Sequence, residues 1–261
     1  MRILFYGDIV GKIGREAIKA SLPSLVRSKG VDFVIANGEN ATHGKGLNEG
    51  HYHQLVSYGV DCLTLGNHWH SKPVIDEYID EAEHLVRPLN LIDCHHGLGS
   101  VSYDVDGVEI RVTNVMGQAF MKETVSSPNE AMEKLLSEID PCIHIVDFHA
   151  DSTSEKEVFA YLIDGRVSAV VGTHTHVQTN DARILEGGTA YISDVGMCGA
   201  ADGVIGFEKH SVINKVVYGQ KGIFEIDDDA QPMVNAVIID IDDSTYRATS
   251  IRTVNLLENK R

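Results

Sequence analysis

Asp8, Glu39, Asn40, Asn67, His149, His174 and His176 stand where five apolar segments stop, in the local sequences GD, GEN, GNH, FHA and GTHTH. Two carboxylates, two amides and three imidazoles, with no thiolate among them, form an oxygen and nitrogen donor set. Such a set suits a pair of divalent ions, Fe or Mn first, with Zn compatible. A carboxylate between two cations can bridge them, and Glu39 is the candidate. Two ions about 3.5–4 Å apart clamp the attacking and leaving oxygens of an in-line phosphoryl displacement. They also lower the pKa of a bridging water, so that hydroxide is available near neutral pH. In the stretch VVGTHTHVQ, an extended backbone would turn residues i and i+2 to the same side and bring both His174 and His176 to one small volume.

The elements that must hold these groups are legible from periodicity. RILFYGD, DFVIANGEN, DCLTLGNH, CIHIVDFHA and VSAVVGTH read as strands. A helix over GREAIKASLPSLVRSKG is expected to bend or restart near Pro23, a second lies around 49–58, and others open at Pro73 and Pro128. A further helix begins at Ser154 with a capping-box pattern to Glu157. SYDVDGVEIRVTNV reads as a hairpin turning at Asp106-Gly107. The C-terminal part adds strands near 189–193, 234–241 and 246–254 and a helical segment around 208–217. Strand ends at Asp8, Glu39 and Asn67 are spaced as successive strand-helix-strand crossovers of about 30 residues. Ligands of open α/β sheets bind outside the carboxyl ends of the strands, so all five motifs are expected at one edge. No repeat or long linker interrupts the pattern, and one domain over residues 1–261 is the economical reading.

The ordered series GD, GEN, GNH, a lone His after a strand, and G-T-H-T-H resembles the five-motif signature of calcineurin-like metallophosphoesterases. It spans residues 8–176. GDIVGKIGR, NGENATHGKGL, GNHWH, FHADSTSEK and GTHTHVQTND look most like the YmdB-like branch, bacterial phosphodiesterases acting on 2′,3′-cyclic nucleotides. The resemblance implies an α/β fold of two packed mixed β-sheets flanked by helices, and a dinuclear metal site. It assigns Asp8, Glu39, Asn40 and His176 to one ion, and Glu39, Asn67, His149 and His174 to the other. His68 is left as proton donor to the leaving oxygen. The general family opens with D-x-H, whereas Asp8 is followed here by Ile9 and Val10; Asn40 is the substitute ligand, as in the YmdB-like branch. Trp69 follows His68 where an acidic residue is common elsewhere.

Taken singly, Asp8 could cap a helix, Asn67-His68 could be turn residues, and His149 a core histidine. The ordered set favours the metal reading. His43 and Lys45, in the Gly-rich loop after Glu39, are candidates to touch a substrate phosphate. His51, His53, His84, His144 and His210 fall on expected helices or strand middles and read as surface or packing residues. The runs IDEYIDEAEH and EIDDDA read as solvated faces.

Composition bounds the rest. The 261 residues are 43% hydrophobic and 23% charged, with a formal net charge of −16, so an extended nucleic-acid surface is not expected. Small phosphodiesters or cyclic nucleotides remain suitable if bound cations attract them. Cys62, Cys94, Cys142 and Cys198 are scattered, without a CxxC pair, which fits a reducing compartment. The N-terminus lacks the apolar run of a signal peptide and no stretch has the length of a membrane span, so a cytoplasmic location is expected. Homo-oligomerisation is the base-rate expectation. Alternatives on the same fold are a phosphomonoesterase or nuclease, because metal ligands do not choose the substrate. A non-catalytic, metal-dependent regulatory protein is a third reading, and the intact His68 argues against it.

Overall fold

Ile3 and Phe5 leave the first strand on one face and Leu4 and Tyr6 on the other, yet all four are fully buried. A strand apolar on both faces needs a packed layer on each side. In the computed structural model, which describes residues 1–257, those layers are a second sheet and a pair of helices. Residues 258–261, the end of the expected 1–261 domain, lie outside the described residues.

The strands are β1 Arg2–Tyr6, β2 Asp8–Ile9, β3 Phe33–Asn37, β4 Cys62–Thr64, β5 Leu85–Val86, β6 Ser100–Val105 and β7 Val108–Met116. After them come β8 Ile143–His149, β9 Ala169–Thr173, β10 Arg183–Ile184, β11 Ala190–Ile192, β12 Met197–Ala200, β13 Pro232–Ile241 and β14 Ala248–Leu257. The α-helices are α1 Gly11–Lys29, α2 Glu49–Ser57, α3 Pro128–Glu138, α4 Thr153–Leu162 and α5 Lys209–Val216.

One sheet runs β2-β12-β13-β1-β3-β4-β5, with β14 also paired to β13. Its β1, β3, β4 and β5 are mutually parallel, and β13 is antiparallel to β1. The other sheet runs β10-β11-β9-β8-β7-β6, parallel from β11 to β7. Both sheets are therefore mixed. Between them lies a core of Ile3, Phe5, Ile35, Val112, Ile145 and Val171. On the outer face of the first sheet, Leu4, Tyr6 and Val34 pack on Ile18 and Leu22 of α1 and Leu55 of α2. On the outer face of the second, Val146 and Phe148 meet Met132 of α3 and Phe159 of α4. The expected α/β architecture of two packed mixed sheets flanked by helices is what the chain adopts.

Parallel pairing brings the carboxyl ends of β1, β3 and β4 to one edge, as the spacing of the first three motifs predicts. The ends of β8 and β9 form the matching edge of the second sheet. Asn37 Nδ2, at the tip of β3, donates to Asp147 Oδ2 of β8 at 3.0 Å, so the two edges are locked together under the motif residues.

Several local expectations need correction. Helix α1 runs unbroken through Pro23, which costs one i→i−4 bond without ending the helix. The segment after Pro73 is two short 3-10 turns, Pro73–Glu77 and Ile79–Glu81, in place of an α-helix. Helix α4 is capped by Ser152, whose hydroxyl accepts from Glu155 N; Ser154 lies inside the helix. The Glu155 carboxylate caps Gln118 N and Ala119 N instead of closing a capping box. His84 sits in a turn before β5, on neither a helix nor a strand. Asp8 belongs to its own short strand β2, because Gly7 breaks from β1 and the chain pairs onward with β12. The hairpin does turn at Asp106-Gly107, with φ of 53° and 83° at the two residues, as a type I′ turn requires.

Candidate metal centre

Each motif residue emerges where a strand hands over to a loop, so its side chain is fixed by the sheet while its tip reaches past the sheet edge. Asp8, Glu39, Asn40, His149 and His176 are buried; Asn67, His68 and His174 are half-buried. Gly66 is required here by space. A Cβ on it would come within 2.4 Å of Glu39 Oε2 and of His149 Nε2, so the strand end must be bare for those two groups to meet.

His149 shows most clearly what the pocket is built to hold. Thr173 Oγ1 donates to Asp147 Oδ1 at 2.7 Å, so its oxygen accepts from His149 Nδ1 at 2.9 Å. That bond puts the ring proton on Nδ1 and turns the Nε2 lone pair inward. Around Nε2 stand Asn67 Oδ1 at 2.9 Å, His174 Nδ1 at 3.1 Å and Glu39 Oε1 at 3.2 Å. Three ligand-type atoms thus crowd one ring nitrogen, and a single proton on it cannot serve all of them. Glu39, His149 and His174 form a group whose donor atoms all lie within 4.8 Å, a spacing one cation can satisfy.

Two further motif oxygens lack partners among the described residues. Asp8 Oδ1 and Asn40 Oδ1 are both buried with no hydrogen-bond partner in the described residues, a costly state for polar atoms unless a cation serves them. Their other atoms are occupied: Asp8 Oδ2 accepts from His174 N at 3.2 Å, and Asn40 Nδ2 donates to Gly44 O at 3.0 Å. His176 Nδ1 donates to the Ile205 carbonyl at 2.8 Å, leaving Nε2 as acceptor, 3.9 Å from Asp8 Oδ1. The donor chemistry of the Glu39, His149 and His174 group fits a divalent ion.

Electrostatics agree. Burial alone would lower the His149 pKa, yet attraction and hydrogen bonding to Glu39 lift it to about 9. Burial would raise Glu39, but His149 and the His68 N–H hold it down at about 2. Burial lifts Asp8 to about 7, against the pull of His176 and His149. Burial and repulsion from His149 push His174 down to about 3, which keeps it a neutral donor. Without a bound ion, a protonated His149 balances Glu39, its Nε2 proton standing where a cation would.

His174 and His176 reach their places by an unexpected route. The extended backbone expected for GTHTH ends at Thr173; His174 has φ 105° and His176 φ 66°. These left-handed conformations, costly for side chains with a Cβ, point the two rings at different partners. His174 faces His149, and His176 faces Asp8.

His68 sits at the rim with its backbone N–H donating to Glu39 Oε2 at 2.8 Å. Burial lowers its pKa, while the Glu39 charge works in the opposite direction. His43 and Lys45 are exposed on the loop after Glu39, and both line the same cavity of about 860 Å³ as Asn67, His68, His174 and His176. Among the histidines set aside, His144 is buried against Thr113 and His51 binds Thr42, both away from the convergence. The four cysteines are unpaired and none belongs to the metal-ligand group.

Several supporting residues escape sequence reasoning. Asp147 and Thr173 orient His149, and Asn37 and Thr64 both donate to Asp147. Lys156 of α4 donates to the Thr173 carbonyl and to Asp194, each at 2.9 Å, and Asp194 accepts from Thr175 N and Gly196 N. The available signal was Asp147 inside an apolar run, two residues before His149 and so on the same strand face. Nothing local marked Lys156 or Asp194.

Comparison with known proteins places this geometry in a family. A family model described as YmdB-like protein matches residues 4–254. The chain is 43% identical to a 2′,3′-cyclic-nucleotide 2′-phosphodiesterase of Bacillus subtilis, over 97% of this chain and 96% of the relative. A crystal structure of a phosphatase from Mycoplasma pneumoniae superposes with a TM-score of 0.94 at 36% identity, covering 100% of this chain and 94% of that one. A Thermus thermophilus protein superposes with a TM-score of 0.93 at 37% identity, over 99% of this chain and 100% of that one. A putative 5′-nucleotidase of Staphylococcus aureus, at 15% identity and a TM-score of 0.61, shares the fold; this chain aligns over its full length with 55% of that larger one. No helix among the described residues is long and apolar enough to cross a membrane. With the matched model spanning nearly the whole sequence and the buried donor set at its strand ends, the chain belongs to the YmdB-like protein family.

Proposed function

We propose that the protein is a dinuclear metal-dependent phosphodiesterase that hydrolyses small phosphodiesters, 2′,3′-cyclic nucleotides first among them. The observations that support this reading are the ligand-type atoms crowded around His149 Nε2, the buried oxygens of Asp8 and Asn40 that have no partner among the described residues, and His176 Nε2 at 3.9 Å from Asp8 Oδ1. Asp8, Glu39, Asn40 and His176 would hold one divalent ion, and Glu39, Asn67, His149 and His174 the other, with Fe or Mn preferred by this oxygen and nitrogen set. When bound, the ions supply Lewis acidity and make hydroxide available from water near neutral pH. The similarity to a 2′,3′-cyclic-nucleotide phosphodiesterase supports the substrate class.

The chain's own residues do the remainder. Asp147 and Thr173 fix the His149 tautomer, and the His68 ring stands at the cavity side of the cluster. Hydroxide from water bonds to phosphorus, with the water's other proton passing to solvent; one P–O bond to the ribose breaks, the freed ribose oxygen takes the proton that His68 donates, and His68 regains a proton from solvent. Burial lowers the pKa of His68, while the Glu39 charge and an anionic phosphate beside the ring act to raise it. His43 and Lys45 would contact the phosphate.

The test compares two leaving groups. A ribose alkoxide needs the proton in the transition state, whereas a nitrophenolate leaves without it. His68→Ala should lose roughly 10²–10⁴-fold on a 2′,3′-cyclic nucleotide and much less on a nitrophenyl diester, with metal content unchanged. Equal losses on both would remove His68 from the donor role. His174→Ala or His149→Ala should lose one ion and most activity, while His51→Ala should lose neither; full metal content and turnover in His174→Ala would overturn the metal assignment.

A further inference from the structure

The cavity in front of the metal centre carries more positive charge than a cyclic mononucleotide needs. Lys45, Lys72, Lys122 and Lys215 line it, from four separate segments of a chain that has 22 basic and 38 acidic residues. None of the four makes an ion pair with a carboxylate among the described residues. Apart from the ligand Glu39, Glu123 is the only acidic residue in the lining. Two divalent ions less the charges of Asp8, Glu39 and a hydroxide already balance the single negative charge of a phosphodiester. Free ammonium groups beyond that balance suit additional negative charge on the ligand.

The same cavity has an apolar lip. Phe120 is 84% exposed and Ile223 79%, the two most exposed large hydrophobic side chains of the described residues, and both border it. Phe120 is held there with φ 63°, a left-handed conformation that a bulky residue rarely adopts. Lys215 Nζ lies 4.9 Å from the centre of the Phe224 ring, so a cation and an aromatic face are presented together. An exposed aromatic beside unpaired lysines is the pairing that proteins use to hold a base and its backbone phosphate.

We propose that the preferred substrate is a 2′,3′-cyclic nucleotide bearing at least one further phosphate on its 5′ side, with Lys122 and Lys215 receiving that phosphate and Phe120 stacking the next base. The inference rests on the phosphodiesterase reading above and names the substrate class of the same site. A free nucleotide with a 5′-phosphate and the 3′ end of a short RNA share this chemistry. The reaction is unchanged: water adds to the cyclic phosphate, one P–O bond opens, and the second phosphate is untouched.

The experiment measures kcat/KM on three substrates: adenosine 2′,3′-cyclic phosphate, its 5′-phosphorylated form, and the dinucleotide ApA ending in a 2′,3′-cyclic phosphate. Both phosphate-bearing substrates should exceed the first by on the order of tenfold, the sum of a few exposed ion pairs. The double variant Lys122→Gln/Lys215→Gln should bring both ratios near one, and Lys122→Arg/Lys215→Arg should restore them. Phe120→Ala should lower the dinucleotide alone by roughly tenfold, since only that substrate has a second base. A dinucleotide preferred without the 5′-phosphorylated mononucleotide would identify an RNA end as the source. Equal kcat/KM on all three, or a preference that survives in Lys122→Gln/Lys215→Gln, overturns the proposal. A parallel calorimetric titration compares adenosine 3′-phosphate with adenosine 3′,5′-bisphosphate, for which the wild type should show the same lysine-dependent ratio. Absence of hydrolysis on every substrate would sink the phosphodiesterase reading, and the binding ratio would still decide this one.

Discussion

Lys156→Met tests whether the buried pair beneath the last motif holds the metal-binding loop in shape. The Lys156 side chain is 2% exposed and that of Asp194 1%. The ammonium donates to Asp194 Oδ2 and to the Thr173 carbonyl, and Asp194 in turn accepts from Thr175 N and Gly196 N. Methionine keeps the length of the stem but removes the charge, leaving a carboxylate buried with only backbone donors. Breaking one side of a buried pair costs about 3–5 kcal/mol, and the two surviving N–H bonds argue for the lower end, about 3 kcal/mol. The clamp also holds Thr173, beside His174, and Thr175, between His174 and His176, whose positive φ values store roughly 1–2 kcal/mol each. Without it the loop relaxes, and metal affinity should fall about 10–100-fold, as it does when support behind a ligand is lost. Urea unfolding with chelator present reads the stability, free of the metal's own contribution; calorimetric titration with Mn²⁺ reads the affinity. Lys156→Met/Asp194→Asn, which removes both charges, should cost less than the two single changes added together. A Lys156→Met protein within 0.5 kcal/mol of wild type, on a measurement able to resolve roughly that difference, would refute the buried-charge argument. The expected stability loss with unchanged metal affinity would refute the positioning role and leave Lys156 as a fold anchor only.

On the proposed metal assignment, Asn40→Ala should weaken metal binding about 10–100-fold, because Asn40 Oδ1 is a buried oxygen with no hydrogen-bond partner among the described residues; wild-type metal titration would make Asn40 a turn residue. Gly66→Ala should displace Glu39 and His149, which a Cβ would meet at 2.4 Å, destabilising the fold by about 1–3 kcal/mol and lowering metal content measured by elemental analysis. Because β13 lies between β1 and β12 in one sheet, we propose that residues 1–261 form one domain. Urea unfolding should then give a single transition by fluorescence and circular dichroism; two separated transitions would divide the chain.

The motif residues were legible because strand-end chemistry is written locally. An apolar run, a glycine and then Asp, Glu, Asn or His marks a candidate ligand at a sheet edge, and crossover spacing puts successive edges side by side. The layered fold was legible for a similar reason, since strands apolar on both faces require cover on both sides. Local turn chemistry was less reliable. Pro23 was read as a bend or a restart; the packing of Ile18, Leu22 and Leu25 carries α1 through it without a restart, and the cap of α4 was misplaced from Ser152 to Ser154. What only the tertiary structure decided are the contacts between segments far apart in sequence. Asp147 reaches Asn37 across 110 residues, Lys156 meets Asp194 across 38, and His174 N meets Asp8 across 166. The four cavity lysines likewise come from loops and a helix whose sequences show only scattered charge. The backbone of GTHTH is the sharpest case. Its residue types announce ligands, but its left-handed turns are unfavourable on their own and exist only because Asp8, Asp194, Lys156 and the Ile205 carbonyl hold them from outside. Sequence fixes which atoms can donate to a metal, since that is a property of each side chain; where those atoms point depends on restraints from the rest of the fold.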